Sequence, residues 1–116
     1  LVESSLRKAL FLEEAASELG LRNVRVLRAR WQNVIPAWAE LVTLRGLRID
    51  ETERDRILES LSPGGRLLWF SGRERLLEQG RLLRERPGLR IRGPVRLLPK
   101  GGFLLLAERR QARDGP

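Results

Sequence analysis

Residues 1–20 read LVESSLRKALFLEEAASELG. An apolar pair, Leu1-Val2, runs into the acidic Glu3 and then, almost without a loop, into a segment that places Leu6, Ala9, Leu12, Ala16 and Leu19 on one helical stripe. The pattern predicts the end of a β-strand followed at once by an α-helix. Gly20 stands directly after Leu19, where a left-handed C-terminal cap favours glycine. A chain that opens inside a strand, contains no Met and starts with neither a signal peptide nor a long apolar run is expected to be a piece of a larger domain.

The alternation continues downstream. Val24-Arg25-Val26-Leu27 reads as a short strand, with Leu21 packing beside the turn, and Ala29-Arg30-Trp31-Gln32 as the loop at its carboxyl end. Residues 33–38, which contain Pro36, are expected to form a short helix. Glu40-Leu41-Val42-Thr43-Leu44 gives another apolar run that turns into a loop at Arg45-Gly46. Asp50-Glu51-Thr52-Glu53 is a helix start: Asp50 is the N-cap, Glu53 completes a capping box, and the acidic groups face the positive end of the dipole. Ile57, Leu58 and Leu61 are its expected buried stripe, and Ser62-Pro63-Gly64-Gly65 its stop. Arg66-Leu67-Leu68-Trp69-Phe70 then reads as a central strand buried on both sides.

A weaker helix is expected over 74–86, with Leu76, Leu77 and Leu83 on one face and Gly80 weakening its interior by about 1 kcal/mol relative to Ala. Pro87-Gly88 ends it. Two β runs follow, 89–98 interrupted by Gly93-Pro94 and 103–108, joined by Pro99-Lys100-Gly101-Gly102 as a hairpin. Strands alternating with helices predict a doubly wound α/β sheet, with ligands at the carboxyl ends of its strands.

Composition narrows the chemistry. A chain of 116 residues forms one domain or part of one, and with no Cys and no His it has neither thiolates nor the commonest general base and metal ligand. No metal is expected, and no membrane span. The formal charge is +8, and Lys8 and Lys100 are the only lysines, so the cationic groups are overwhelmingly arginines. Arginine suits bidentate phosphate contacts and stacking, although a GC-rich coding sequence would produce the same excess. Because the charge is scattered along the chain, it favours a polyanionic partner such as RNA without locating the surface that meets it.

Glu3 falls where an acidic residue at a strand's carboxyl end binds the two ribose hydroxyls of an adenosine, and equally where a helix N-terminal charge belongs. Ser4 and Ser5 carry the same ambiguity between N-cap and cofactor contact. Leu61-Ser62-Pro63-Gly64-Gly65-Arg66-Leu67 resembles the L-x-P-G-G-x-L segment common in S-adenosylmethionine-dependent methyltransferases, where its job is structural. Val2-Glu3-Ser4-Ser5, Arg7-Lys8, Phe11-Leu12-Glu13, Leu19-Gly20-Leu21, Val26-Leu27 and Ala29-Arg30 resemble the RsmG (GidB) family of 16S rRNA guanine-N7 methyltransferases. Leu41-Val42-Thr43-Leu44-Arg45-Gly46-Leu47 is similar to that family's strand and loop, and Pro63-Gly64-Gly65 falls at the expected distance after it. The resemblance is good over residues 1–72 and loose over the final hairpin.

The resemblance implies an α/β fold: a Rossmann-like class I methyltransferase sheet with a C-terminal antiparallel hairpin, its first strand and Gly-rich loop lying upstream of Leu1. Residues 1–110 are then an incomplete S-adenosylmethionine-dependent methyltransferase domain and 111–116 a polar tail. The implied cofactor is S-adenosyl-L-methionine, the implied partner 16S ribosomal RNA, and the implied location the cytoplasm. Carried over, Glu3 is the ribose ligand with Ser4 and Ser5 beside it. Trp31 and Gln32 stand where the family has an Ala-Glu pair next to the adenine; Gln32 can still bond the adenine edge, while Trp31 either stacks on the base or, the favoured reading, packs as a core aromatic. Arg45 matches the family's loop arginine and faces cofactor or substrate, its alternative being a solvated loop residue. Ser71 replaces the family's usual Lys, so one expected contact is missing.

No catalytic residue is implied. Guanine N7 has an in-plane lone pair and no proton, so its methylation needs alignment rather than a general base, whereas an exocyclic amine would want an N-P-P-Y-type loop that a chain without Tyr lacks. A second reading is a degenerate methyltransferase fold kept as a non-catalytic RNA-binding module. A nicotinamide-binding Rossmann half is a third, disfavoured by the Pro-Gly-Gly strand entry. An absent central strand would also leave edges unpaired, so self-association through them is expected.

Overall fold

The computed structural model describes residues 1–34, 38–97 and 101–111. The chain forms two compact units, Leu1–Ile35 and Pro36–Pro116. Their strands lie in two separate sheets, one of two strands and one of four.

In the first unit, β1 (Val2–Glu3) leads into α1 (Leu6–Glu18), and β2 (Leu27–Arg28) is followed by a 3-10 turn at Trp31–Asn33. β1 and β2 pair in parallel, Val2 opposite Leu27 and Glu3 opposite Arg28. The helix stops as its sequence indicates. Gly20 takes φ +67°, its N–H donates to the Ser17 carbonyl, and the Leu21 N–H reaches back to Ala16, which together make a Schellman end.

Three expectations for this unit are corrected. The strand read at 24–27 is confined to Leu27–Arg28, because β1 offers only two residues to pair with. Trp31 and Gln32, read as loop, and Asn33, read as the start of a short helix, form one 3-10 turn. Of the apolar stripe of α1, Ala9 alone is buried, while Leu6 and Leu19 are exposed, and Leu21 is exposed rather than packed, because two-residue strands offer too little surface to cover a helix of 13 residues.

The second unit contains β3 (Ala39–Arg45), α2 (Glu51–Glu59), β4 (Leu61–Ser71), α3 (Arg73–Arg84), β5 (Leu89–Arg96) and β6 (Phe103–Arg109), with the strands in the order β3-β4-β6-β5. β3 runs parallel to β4, as a helical crossover requires, and β6 is antiparallel to both β4 and β5, as a closing hairpin requires. The capping box of α2 is complete: the Glu53 N–H donates to Asp50 Oδ1 at 2.8 Å and the Asp50 N–H to Glu53 Oε1 at 3.0 Å. Ser60 closes α2 with its hydroxyl on the Ile57 carbonyl at 2.6 Å. Leu61 is therefore not the last residue of the helical stripe but the fully buried first residue of β4.

Ser62-Pro63-Gly64-Gly65 lies inside β4 as a bulge. Ala39 opposes Leu61 and Leu41 opposes Arg66, so four residues of β4 face the single residue Glu40. A Cβ on Gly65 would meet the Ser62 and Ala39 carbonyl oxygens at 2.8 and 2.9 Å, so only glycine lets the bulge close.

β4 is central but buried on one face only. Leu61, Leu67 and Trp69 point with Leu44, Leu105 and Ala107 into the core, whereas Arg66, Leu68 and Phe70 stay partly exposed. The reason is coverage: α3 buries Leu76 and Leu83, α2 buries Ile57 and Leu58, and the helices are tied to each other by Arg54 Nη1 on Gln79 Oε1 at 3.1 Å and by the Arg86–Asp55 ion pair. Among the described residues of this unit, no element covers the other face.

Leu77, placed on the α3 stripe by its spacing, is exposed. Gly80 is buried, and a Cβ there would lie 3.4 Å from Leu105, so the residue expected to weaken the helix is also what lets it approach β6 closely. Within the range 33–38, residues 35–37 lie outside the described residues, as do 98–100 of the hairpin connection and 112–116 of the polar tail. No helix among the described residues is long and apolar enough to cross a membrane.

Replacing Gly65 by Ala forces two backbone carbonyls to move and is expected to destabilise the chain by about 1–3 kcal/mol, read from urea unfolding. An unchanged midpoint would show that the bulge accommodates a side chain.

Candidate functional site

Parallel pairing puts the carboxyl ends of β1 and β2 side by side, so the segment Glu3-Ser4-Ser5 adjoins the segment leaving Arg28 toward Trp31 and Gln32. The Ala29 N–H donates to the Glu3 carbonyl at 3.1 Å and locks the two exits in register. Ser5 is the N-cap of α1, its Oγ accepting from the Lys8 N–H at 3.3 Å. Glu3 turns its carboxylate onto the same helix start, where Oε1 accepts from the Ser5 N–H at 3.1 Å. Both groups thus do the helix-capping work that their sequence positions allow.

That work leaves chemistry to spare. A carboxylate has about four acceptor positions, so one bond to a backbone N–H leaves room for the two hydroxyls of a ribose. Ser4 is exposed at the turn, Gln32 is exposed, and Trp31 is half-buried rather than sealed in the core. This acceptor-rich turn has the chemistry to hold a ribose. It does not fit the methionine end of S-adenosylmethionine, for which no G-x-G stretch exists in the sequence.

Arg45 belongs to the other unit. It ends β3, and its guanidinium sits 5.5 Å from the centroid of the Phe70 ring on the adjacent strand, so it is stacked rather than a loose loop side chain. Ser71 ends β4 and begins a cleft of roughly 400 Å3 lined by Ser71, Gly72, Arg73, Glu74 and Arg75. Arg75 spans to the loop after β3, its Nη1 on the Leu47 carbonyl at 3.3 Å. The sequence reading missed this cleft, whose only linear signal is Gly72 between a strand and a basic helix start. Among the described residues, no group of three or more His, Cys, Asp or Glu side chains could hold a metal ion.

A family model described as GidB, rRNA small subunit methyltransferase G, matches residues 1–86. The chain belongs to the GidB family. The ribosomal RNA small subunit methyltransferase G of Treponema pallidum, in the Nichols strain and in a second strain alike, is 30% identical over 80 residues, covering 68% of the GidB chain described here and 36% of the relative. The chain thus spans about a third of the length of the curated relatives it matches.

Solved structures agree on the fold. A SAM-dependent O-methyltransferase from Thermotoga maritima superposes with TM-score 0.74 at 16% identity over 94% of this GidB chain and 48% of its own. A putative methyltransferase from Streptococcus mutans, in complex with SAH, gives TM-score 0.60 at 18% identity over 93% of this chain and 73% of its own. The fold is that of a class I SAM-dependent methyltransferase.

Ser5→Ala is expected to remove the α1 cap, at a cost of about 1 kcal/mol. Hydrogen exchange should speed up at the first amides of α1 and not in α2 or α3; unchanged exchange at Lys8 would mean that the Glu3 carboxylate suffices.

Proposed function

We propose that the protein containing these residues transfers a methyl group from S-adenosyl-L-methionine to guanine N7 of small-subunit ribosomal RNA in the cytoplasm. The observation that supports the reading is the pairing of Glu3 with Arg28 at adjacent carboxyl strand ends, which sets Glu3, Ser4 and Ser5 beside the start of the segment that leads to Trp31 and Gln32, in a chain of the GidB family. Glu3 takes the ribose hydroxyls, Ser4 and Ser5 border them, Gln32 meets the adenine edge, and Trp31 closes over the base. Arg45, held against Phe70, serves cofactor or acceptor as a fixed positive group.

The cofactor supplies an electrophilic sulfonium methyl. A chain with no His and no Cys is adequate for N7 chemistry, since the acceptor nitrogen has a lone pair and no proton to lose. These residues contribute orientation and electrostatics.

These 116 residues alone are expected to turn over weakly or not at all. Besides the lack of a G-x-G loop, two strand edges support this. Among the described residues, β1 pairs only with β2, and β3 pairs only with β4. β3 carries Leu41, Val42 and Leu44 with no proline or lysine to guard its open side, the composition of a strand that expects a partner.

Calorimetric titration with S-adenosylmethionine is the first test. Weak saturable binding is expected, reduced at least tenfold in Glu3→Ala, the loss of a charge-assisted bidentate contact. Binding unaffected by Glu3→Ala overturns the ribose assignment. No binding by a folded chain that still binds RNA favours the non-catalytic RNA-binding module instead.

The open edges predict concentration-dependent self-association of this chain in sedimentation velocity. A clean monomer with a cooperative melt would show that the edges are satisfied without a partner.

A further inference from the structure

Both β4 and β5 run antiparallel to β6, so they are parallel to each other, and the carboxyl ends of β3, β4 and β5 share one rim of the sheet. Ser71 of β4 and Arg96 of β5 both oppose Phe103, which lies between them. Two strand spacings put Ser71 and Arg96 about 10 Å apart across the rim.

A bulge decides which way Arg96 faces. Arg92 opposes Leu106 and Val95 opposes Leu104, so Gly93 and Pro94 together face the single residue Leu105. One extra residue inverts the alternation of a strand. Arg90 and Arg92 share the face of Leu106 and Glu108, but beyond the bulge Val95 takes that face. Arg96 is turned to the face of Trp69 and Ser71, the one on which α3 packs. Gly93 permits the inversion: its φ is +100°, and a Cβ there would lie 2.7 Å from the Leu104 carbonyl oxygen.

The consequence is a basic cleft. Arg73, the first residue of α3, lines it beside Ser71, and Arg96 stands exposed on the same side across Phe103. Arg66 and Arg90, on the opposite face, share the carboxylate of Glu108, at 3.0 and 3.7 Å. Among the described residues, Arg73 and Arg96 have no such carboxylate partner. Glu74 is the one carboxylate among the residues lining the cleft, which also include Arg73 and Arg75.

We propose that Arg73 and Arg96 grip the phosphodiester backbone of RNA at this cleft and so position the acceptor strand along the rim. The inference rests on the ribosomal RNA reading above, which makes RNA the source of the phosphate. Guanidinium forks suit bidentate phosphate oxygens, and an open cleft lets a polymer pass where an enclosed pocket would admit only its end. The uncapped start of α3 at Gly72 adds backbone N–H groups of the same polarity.

The test is fluorescence anisotropy of a labelled single-stranded RNA with the full chain, across a salt series. The wild type, the Arg73→Ala/Arg96→Ala double variant and the control Arg92→Ala are compared, each checked by circular dichroism. Two lost phosphate contacts should flatten the slope of log K against log salt by about 1.4 and weaken binding about tenfold or more at low salt. Arg92→Ala, on the other face of the same strand, should change the slope by less than half as much. Equal losses in Arg92→Ala and the double variant overturn the cleft in favour of diffuse charge, and an unchanged double variant overturns it while leaving RNA binding intact. A wild-type chain that binds no RNA, or that binds inorganic phosphate at the cleft but not RNA, overturns this inference and the RNA reading together. S-adenosylmethionine titration of the double variant separates the two sites: cofactor binding should match the wild type, and its loss would mean that the substitutions act through the fold.

Discussion

The register of β3 on β4 is the constraint on which the larger unit depends. The two strands are parallel, so a crossover has to intervene, and α2 is that crossover. They begin together at Ala39 and Leu61, part at the Ser62–Gly65 bulge, and resume with Leu41 on Arg66. The resumed register sets Leu44 against Trp69 inside the core and Arg45 against Phe70 outside it. A slip of one residue that set Arg45 opposite Trp69 would put both on one face, either burying the arginine or exposing the indole. Gly65 holds the register because the bulge leaves no volume for a side chain there.

From that register follows a one-faced core. Trp69, Leu67 and Leu61 lie under α2 and α3 with Leu105 and Ala107, and the two helices are joined above them by Arg54–Gln79 and Arg86–Asp55. The two outer strands of this sheet are treated differently. β5 carries Arg90, Arg92, Arg96, Pro94 and a bulge, each of which discourages a further strand, whereas β3 carries none of these before Arg45. In the smaller unit the balance is poorer still, with Phe11 at 69% and Leu19 at 72% exposure on a helix that has only two short strands beneath it. Apolar surface of that kind calls for a partner surface.

The chemistry available is that of binding and alignment. With neither His nor Cys, the chain offers carboxylates, hydroxyls, amides and a large excess of guanidinium groups. Those groups suit a reaction whose cofactor is already electrophilic and whose acceptor atom is already nucleophilic. They also suit a polyanionic substrate, for which scattered arginines supply long-range attraction and a few fixed ones supply register.

What could be read directly from the sequence were features settled within a few residues. Asp50 and Glu53 specify their capping box, Gly20 its Schellman end, and Glu3-Ser4-Ser5 a strand-to-helix turn, because each closes its own hydrogen bonds locally. The strand-helix order and the family resemblance of residues 1–72 belong to the same class, and the family match over 1–86 agrees with them. Only the tertiary structure decided that Leu61 opens a strand, that Pro63-Gly64-Gly65 is a bulge rather than a helix stop, and that β4 is covered on one face. It alone decided that Leu6 and Leu19 stay exposed, and that Arg96 faces α3. Those outcomes depend on what stands opposite each residue, and strand partners separated by up to tens of positions leave no periodic trace in the residues they pair with.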